Sequence, residues 1–155
     1  MKVAIMGYGT VGSGVAEVID THEDVISKRS GGIELEIAKI LDLRDFPGDA
    51  HEQELTKDFN EILNDPEIKV VAETMGGINP AYDFTMKLLK AGNSVVTPNK
   101  ALVAQKGLEL PETAKESGTN YLFAARVGGR KPITRPLSQC LAATPTHGPT
   151  ATPTR

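Results

Sequence analysis

The chain has 155 residues, 39% hydrophobic and 24% charged, with a formal net charge of -3. That is enough for one domain with its own core and too little for two large ones, and no apolar run reaches the length of a membrane span. The single Cys140 excludes an internal disulfide, and with three scattered histidines it gives no metal-ligand spacing.

No metal is therefore expected. Met1 leads directly into a charged residue and a strand, which leaves no room for a signal peptide, so a cytoplasmic location is expected. The charge is unevenly placed: all 20 acidic residues lie at or before Glu116, whereas Arg126, Arg130, Lys131, Arg135 and Arg155 follow it. An acidic main body argues against nucleic acid as a partner, because neutralising phosphates needs a basic face. The basic end invites comparison with a nucleic-acid arm, but no aromatic residue follows Phe123, so it lacks stacking groups.

In chain order, an apolar strand over Val3 to Met6 runs into Gly7, Gly9 and Gly12, a G-x-G-x-x-G pattern that opens a helix. In that context the pattern points to a dinucleotide. Gly7 permits a tight turn, Gly9 lets the backbone approach a pyrophosphate, and Gly12 lets the helix pack closely on its strand. The phosphates would sit on the free N–H groups of the helix that Thr10 and Val11 begin. An ordinary strand-turn-helix with a glycine-rich turn is the alternative. Val11, Val15, Val18, Ile19, Val25 and Ile26 recur at helical spacing and predict one buried face, ended by Gly31 and Gly32.

Ile33 to Leu41 reads as a second strand with Asp42 at its end. An acidic residue there accepts hydrogen bonds from the adenine ribose, while a nearby arginine accommodates a 2′-phosphate instead; Asp42 and Arg44 offer both. The spacing from the glycines to Asp42 is longer than usual, and Thr21 to Gly32 supplies the extra length. An exposed Asp in a polar D-L-R-D loop is the plainer reading. Phe46 to Thr56 reads as a surface loop and Asp58 to Leu63 as a short helix. Ile68 to Ala72 is a strand covered on both faces, running into Glu73-Thr74-Met75-Gly76-Gly77. That glycine pair stands where ligands bind in open α/β sheets, or it is a plain turn.

Asn79 and Pro80 predict an N-cap and a first-turn proline for a helix to Ala91. A strand Ser94 to Thr97 precedes Pro98-Asn99-Lys100. A lysine in the first turn of a helix faces the unfavourable end of the dipole, so Lys100 either points into solvent or meets an anionic or electron-rich group. A helix through Leu108 to Glu116 must kink or restart at Pro111, and a last strand spans Tyr121 to Ala125. Strands alternating with helices predict an α/β fold, a Rossmann-type doubly wound and mainly parallel sheet with its ligand crevice at the carboxyl edge.

M-G-Y-G-T-V-G-S-G-V, V-V-A-E-T-M-G-G-I-N-P-A and S-V-V-T-P-N-K-A-L-V-A together resemble the nucleotide-binding domain of homoserine dehydrogenase, over roughly residues 1 to 137. The resemblance implies NAD(P)-dependent interconversion of L-homoserine and L-aspartate 4-semialdehyde, a step in threonine, methionine and isoleucine synthesis, with NADP or NAD as cofactor. It implies that Lys100 stands beside the nicotinamide and the substrate, as the catalytic residue, and that Met75 and Gly76 belong to the cofactor-contacting loop. The expected cofactor set is thus Gly7, Gly9, Thr10, Val11, Gly12, Asp42, Arg44, Met75, Gly76 and Lys100.

The chain departs from the family after Phe123. Ala124 stands where the family carries a glutamate that helps hold a monovalent cation, and Arg126, Arg130 and Lys131 replace small or apolar residues. Residues 1–125 form the expected dinucleotide-binding domain, 126–143 a basic remnant of an interdomain segment, and 144–155 a Pro/Thr-rich tail that cannot bury a core and is expected to be disordered. The family's substrate domain and dimerising region are not in the sequence, so the oligomeric state is left open. The C-terminus reads as the product of a truncation or frame change, or as a short natural product. By itself the chain is expected to bind cofactor without turnover; the alternative is a non-catalytic nucleotide-binding or interaction module.

Overall fold

In the computed structural model, which describes residues 1–124, six strands form one sheet in the order β3-β2-β1-β4-β5-β6, every neighbouring pair parallel. The strands are β1 (Lys2–Met6), β2 (Glu36–Leu41), β3 (Leu55–Thr56), β4 (Ile68–Glu73), β5 (Ser94–Thr97) and β6 (Tyr121–Phe123). The chain starts in the middle, builds outward through β2 and β3, then returns to the other side of β1 with β4. This reversal puts a crevice at the carboxyl ends of β1 and β4. The basic segment and the Pro/Thr-rich tail lie outside the described residues.

Period-two alternation on β1 explains why the sheet is covered twice. Val3 and Ile5 face one core with Val15, Ala16, Ile19 and Ile26, whereas Ala4 and Met6 face the other with Leu88, Leu89, Leu102 and Leu110. The first layer consists of α1 (Thr10–Thr21) and α2 (Glu23–Arg29). The second is built mainly from α4 (Ala81–Lys90), α5 (Lys100–Lys106) and α6 (Glu109–Glu116), after the short α3 (Asn60–Leu63). Ile5, Met6, Ile40, Leu88 and Leu102 are fully enclosed, each contributing about 1.5–3 kcal/mol relative to an exposed position.

Several expectations differ from the structure, and the second strand is one of them, opening at Glu36 rather than Ile33. The first helical stretch is broken at His22, which closes α1 through its N–H to Val18 O (3.0 Å) and accepts from Ile26 N at 3.0 Å. The break changes the helical phase, so Ile26 is buried while Val25 is 41% exposed. The loop over Phe46 to Thr56 ends in β3, held by Ile40 N to Glu54 O (2.8 Å) and Asp42 N to Thr56 O (3.1 Å). Asn79 does not cap α4: Pro80 itself occupies the N-cap and no side chain caps that helix. The last strand stops at Phe123, short of Ala125. Pro111 lies in the first turn of a helix restarted at Glu109, where its missing N–H has no intrahelical partner to lose.

Candidate dinucleotide site

The glycine turn is built by contacts within the protein at two of its three glycines. Gly7 takes φ +92°, and a Cβ there would stand 2.9 Å from Met75 Cα and from Thr74 O. A Cβ on Gly12 would stand 1.8 Å from Gly7 O and 2.9 Å from Thr74 Oγ1. Gly9 differs: it is the extended N-cap of α1, and the atom nearest to a Cβ would be Arg44 Nη2 at 3.9 Å. The first turn of α1, opened by Thr10 and Val11, carries no acidic residue and no side-chain cap. Its N–H groups therefore depend on a partner from outside the helix, and its dipole favours an anion.

Asp42 stands at the end of β2 with a nearly covered side chain, 8% exposed against 63% for Arg44. Both its oxygens are engaged. Oδ1 accepts from Arg44 N (2.9 Å) and Nε (3.0 Å), and Oδ2 accepts from Arg44 Nη2 (2.9 Å) and from Tyr8 N (2.8 Å). The Arg44 guanidinium holds the carboxyl far below the usual carboxylate range, outweighing the burial that pushes it up. Arg44 also lies over the Phe46 ring, 5.2 Å from its centroid. An open cavity of about 360 Å³ adjoins, lined by Asp42, Arg44, Phe46, Thr56 and Lys57.

On the other side of β1, the stretch Thr74 to Gly77 follows β4, with Gly76 and Gly77 at φ +76° and +70°. Thr74 Oγ1 lies 2.9 Å from Met6 O and 2.8 Å from Gly7 O, so its one hydroxyl hydrogen ties this stretch to the glycine turn. Glu73 is fully buried and accepts from Met75 N (2.8 Å) and Thr97 Oγ1 (2.6 Å). Asn99 caps α5 by accepting from Leu102 N at 3.1 Å and donates to Gly77 O at 2.5 Å. Lys100 opens α5 and is exposed, with no hydrogen bond or ion pair to its ammonium among the described residues.

The carboxyl edge thus gathers Gly7, Gly9, Thr10, Val11, Gly12, Asp42, Arg44, Met75, Gly76 and Lys100, with the Asp42 side on one flank of β1 and the Met75 and Lys100 side on the other. Tyr8, Thr74, Glu73, Thr97 and Asn99 join the site without having been picked out for it. A carboxylate at the end of an otherwise apolar strand was the available signal for Glu73. Tyr8 contributes its backbone amide to Asp42, and its ring packs edge-on to Phe46 at 5.1 Å, which no spacing rule foretells. Ala124 is buried and donates its N–H to Thr97 O at 2.8 Å. Among the described residues no three His, Cys, Asp or Glu side chains gather as a metal site, and no helix is long and apolar enough to cross a membrane.

Residues 7–124 match the family model described as "Homoserine dehydrogenase, NAD binding domain". The chain is 35% identical over 147 residues to homoserine dehydrogenase of Bacillus subtilis, an alignment that covers 92% of this chain and 34% of that protein. It is 37% identical over 145 residues to the Pseudomonas aeruginosa enzyme, covering 92% and 33%. A crystal structure of S. aureus homoserine dehydrogenase at pH 7.0 superposes with a TM-score of 0.73 and 35% identity, covering 82% of this chain and 33% of that one. The chain spans about a third of the length of the curated relatives it matches.

Proposed function

The chain belongs to the homoserine dehydrogenase family, matching it through the NAD-binding domain, and from that premise we propose that it binds NADP or NAD across the carboxyl edge of its sheet. The activity it serves is the NAD(P)-dependent interconversion of L-homoserine and L-aspartate 4-semialdehyde, in the cytoplasm. One observation carries the cofactor reading. The protein's own packing demands Gly7 and Gly12, but nothing inside it demands Gly9, whose Cβ would meet only a side-chain tip at 3.9 Å. The space over Gly9, in front of an uncapped helix start, fits a pyrophosphate.

With phosphates there, the adenine ribose falls on the Asp42 flank and the nicotinamide on the Met75, Gly76 and Lys100 flank, since β2 and β4 lie on opposite sides of β1. Once bound, the cofactor supplies the hydride acceptor that turns the substrate alcohol into an aldehyde. Lys100 contributes an exposed ammonium at that end, placed to hold an oxygen of the substrate. Arg44 is the more exposed partner of its pair, free to turn toward a 2′-phosphate, which favours NADP. One lysine cannot both orient an amino acid and move its hydroxyl proton, so the 155-residue stretch by itself binds cofactor without turnover.

Calorimetric titration with NADP and NAD tests the reading, alongside absorbance of NAD(P)H in the presence of L-homoserine. Binding of both, NADP more tightly, without turnover is the expected result. No heat with either dinucleotide would overturn the reading. Turnover that disappears in Lys100→Ala would show a complete site and refute the inactivity.

A further inference from the structure

Gly76 and Gly77, the pair that follows Met75, take left-handed backbone with nothing within 4 Å of where either Cβ would be. The two glycines are therefore not held by packing of their own; Met75 and Ile78 on either side pack against the second core, and polar contacts hold the ends of the loop. Glu73 Oε1 accepts from Met75 N at the start of the loop, and Asn99 Nδ2 donates to Gly77 O at its end. The two holds are joined through Thr97, whose hydroxyl donates to Glu73 Oε2 at 2.6 Å and accepts from Asn99 N at 3.0 Å. The result is a closed ring, running through hydrogen bonds from Gly77 by way of Asn99, Thr97 and Glu73 to Met75 and closed by the loop backbone from Met75 to Gly77.

The ring's anchor is unusual for an interior. Glu73 is fully buried, and among the described residues no lysine, arginine or histidine pairs with it, so its two oxygens are met by one N–H and one hydroxyl. Nearby, Tyr121 is pushed up chiefly by burial and further by Glu73, and the Tyr121 hydroxyl has no partner among the described residues. A buried carboxyl group is costly unless hydrogen bonds satisfy it, as Met75 N and the Thr97 hydroxyl do here. The same Asn99 that closes the ring also caps α5, the helix that Lys100 opens.

We propose that Glu73 is a positioning residue, which through Thr97 and Asn99 locks the Met75–Gly77 loop and the start of α5 into one unit facing the nicotinamide half of the cofactor. This rests on the cofactor reading above. It assigns to the ring the nicotinamide end alone, because the Asp42 flank is held by separate contacts.

The experiment titrates the 155-residue chain with NADH and with ADP-ribose, which keeps the adenosine and pyrophosphate but lacks the nicotinamide. Glu73→Gln leaves residue 73 with one acceptor oxygen, which cannot serve both Met75 N and the Thr97 hydroxyl as Glu73 does, and Thr97→Val removes the hydroxyl that joins the two holds. Each is expected to weaken NADH by about tenfold while leaving ADP-ribose within about twofold of wild type. Thr97→Ser, which keeps the hydroxyl, is expected to bind both as wild type does. Equal losses for the two ligands, no loss for either, or a Thr97→Ser loss matching Thr97→Val would overturn the proposal. Should Thr97→Val fail to fold by circular dichroism, Glu73→Gln reads the same ratio. A wild-type chain that binds neither ligand overturns the cofactor reading and this proposal with it; wild-type binding with unchanged ratios overturns this proposal alone.

Discussion

Arg44 lies bidentate on Asp42, Nε to Oδ1 at 3.0 Å and Nη2 to Oδ2 at 2.9 Å, so the carboxylate at the end of β2 is filled by the protein itself. A ribose that seeks Asp42 must displace Arg44, whereas a 2′-phosphate draws Arg44 to itself. Arg44→Ala is therefore expected to strengthen NAD by a few-fold and to weaken NADP by about 10- to 100-fold, the worth of a charge-assisted hydrogen bond or two. Calorimetric titration of wild type and variant with both dinucleotides checks it; a parallel change in both would refute the exchange.

Gly9 and Gly12 should fail in opposite ways. Gly9→Val meets extended backbone and open space, so the melting temperature is expected to stay near that of wild type while dinucleotide binding is lost. Gly12→Ala puts a carbon on Gly7 O and is expected to destabilise the fold by at least about 3 kcal/mol. Thermal melts with and without NADP separate the two: ligand stabilisation should vanish in the first variant, and the apo melt should drop in the second.

Acid should remove stability through Asp42. Its carboxyl is held well below the ordinary value by Arg44, so on lowering the pH the unfolded chain takes up its proton first, at about 3.9. The contribution is complete above that pH and declines as the pH falls toward the folded-state value. Urea midpoints measured between pH 6 and pH 3 are expected to fall less steeply for Asp42→Asn than for wild type. Equal slopes would mean the ion pair is not retained in solution.

Alkali acts on the other end of the scale. Tyr8 is pushed up to about 12 by burial and by its hydrogen bond to Asp49. Tyr82 is raised by its hydrogen bond to Glu109, and Tyr121 by burial. A raised folded value means stability is intact below the ordinary tyrosine value near 10 and is lost as pH rises through the folded one. Phenolate absorbance is therefore expected to lag behind free tyrosine at pH 10 and to rise together with unfolding. Tyr8→Phe should move the alkaline unfolding limb to higher pH; a limb left where it is would take Tyr8 out of that transition.

The alternation of apolar runs with helical stretches was enough to read the parallel, doubly wound sheet, because the middles of β1, β4 and β5 are apolar runs buried on both faces, with the polar residues mostly at the strand ends. β3 escaped notice since two residues paired only through their backbone leave no periodicity. His22 escaped because helical spacing continues across it, and only tertiary burial of Ile26 reveals the change of phase. Asn79 and Asn99 present the same Asn beside a proline to a reader of the sequence, yet only Asn99 caps a helix. Asp42 and Arg44 were legible as alternatives, but their union is a matter of rotamers, to which a residue pattern is blind.

Thr74 Oγ1 touches Gly7 O at 2.8 Å and would touch a Cβ on Gly12 at 2.9 Å, which places the residue just past β4 in the middle of the turn that follows β1. The fingerprint Gly7 to Gly12 is accordingly not a portable cassette. Grafted onto another sheet without a hydroxyl just past the end of the neighbouring strand, it would bring its glycines and leave Gly7 O without its partner. A chimera builder exchanging cofactor loops between such proteins has to move Thr74 with them, even though it lies 67 residues along the chain from Gly7.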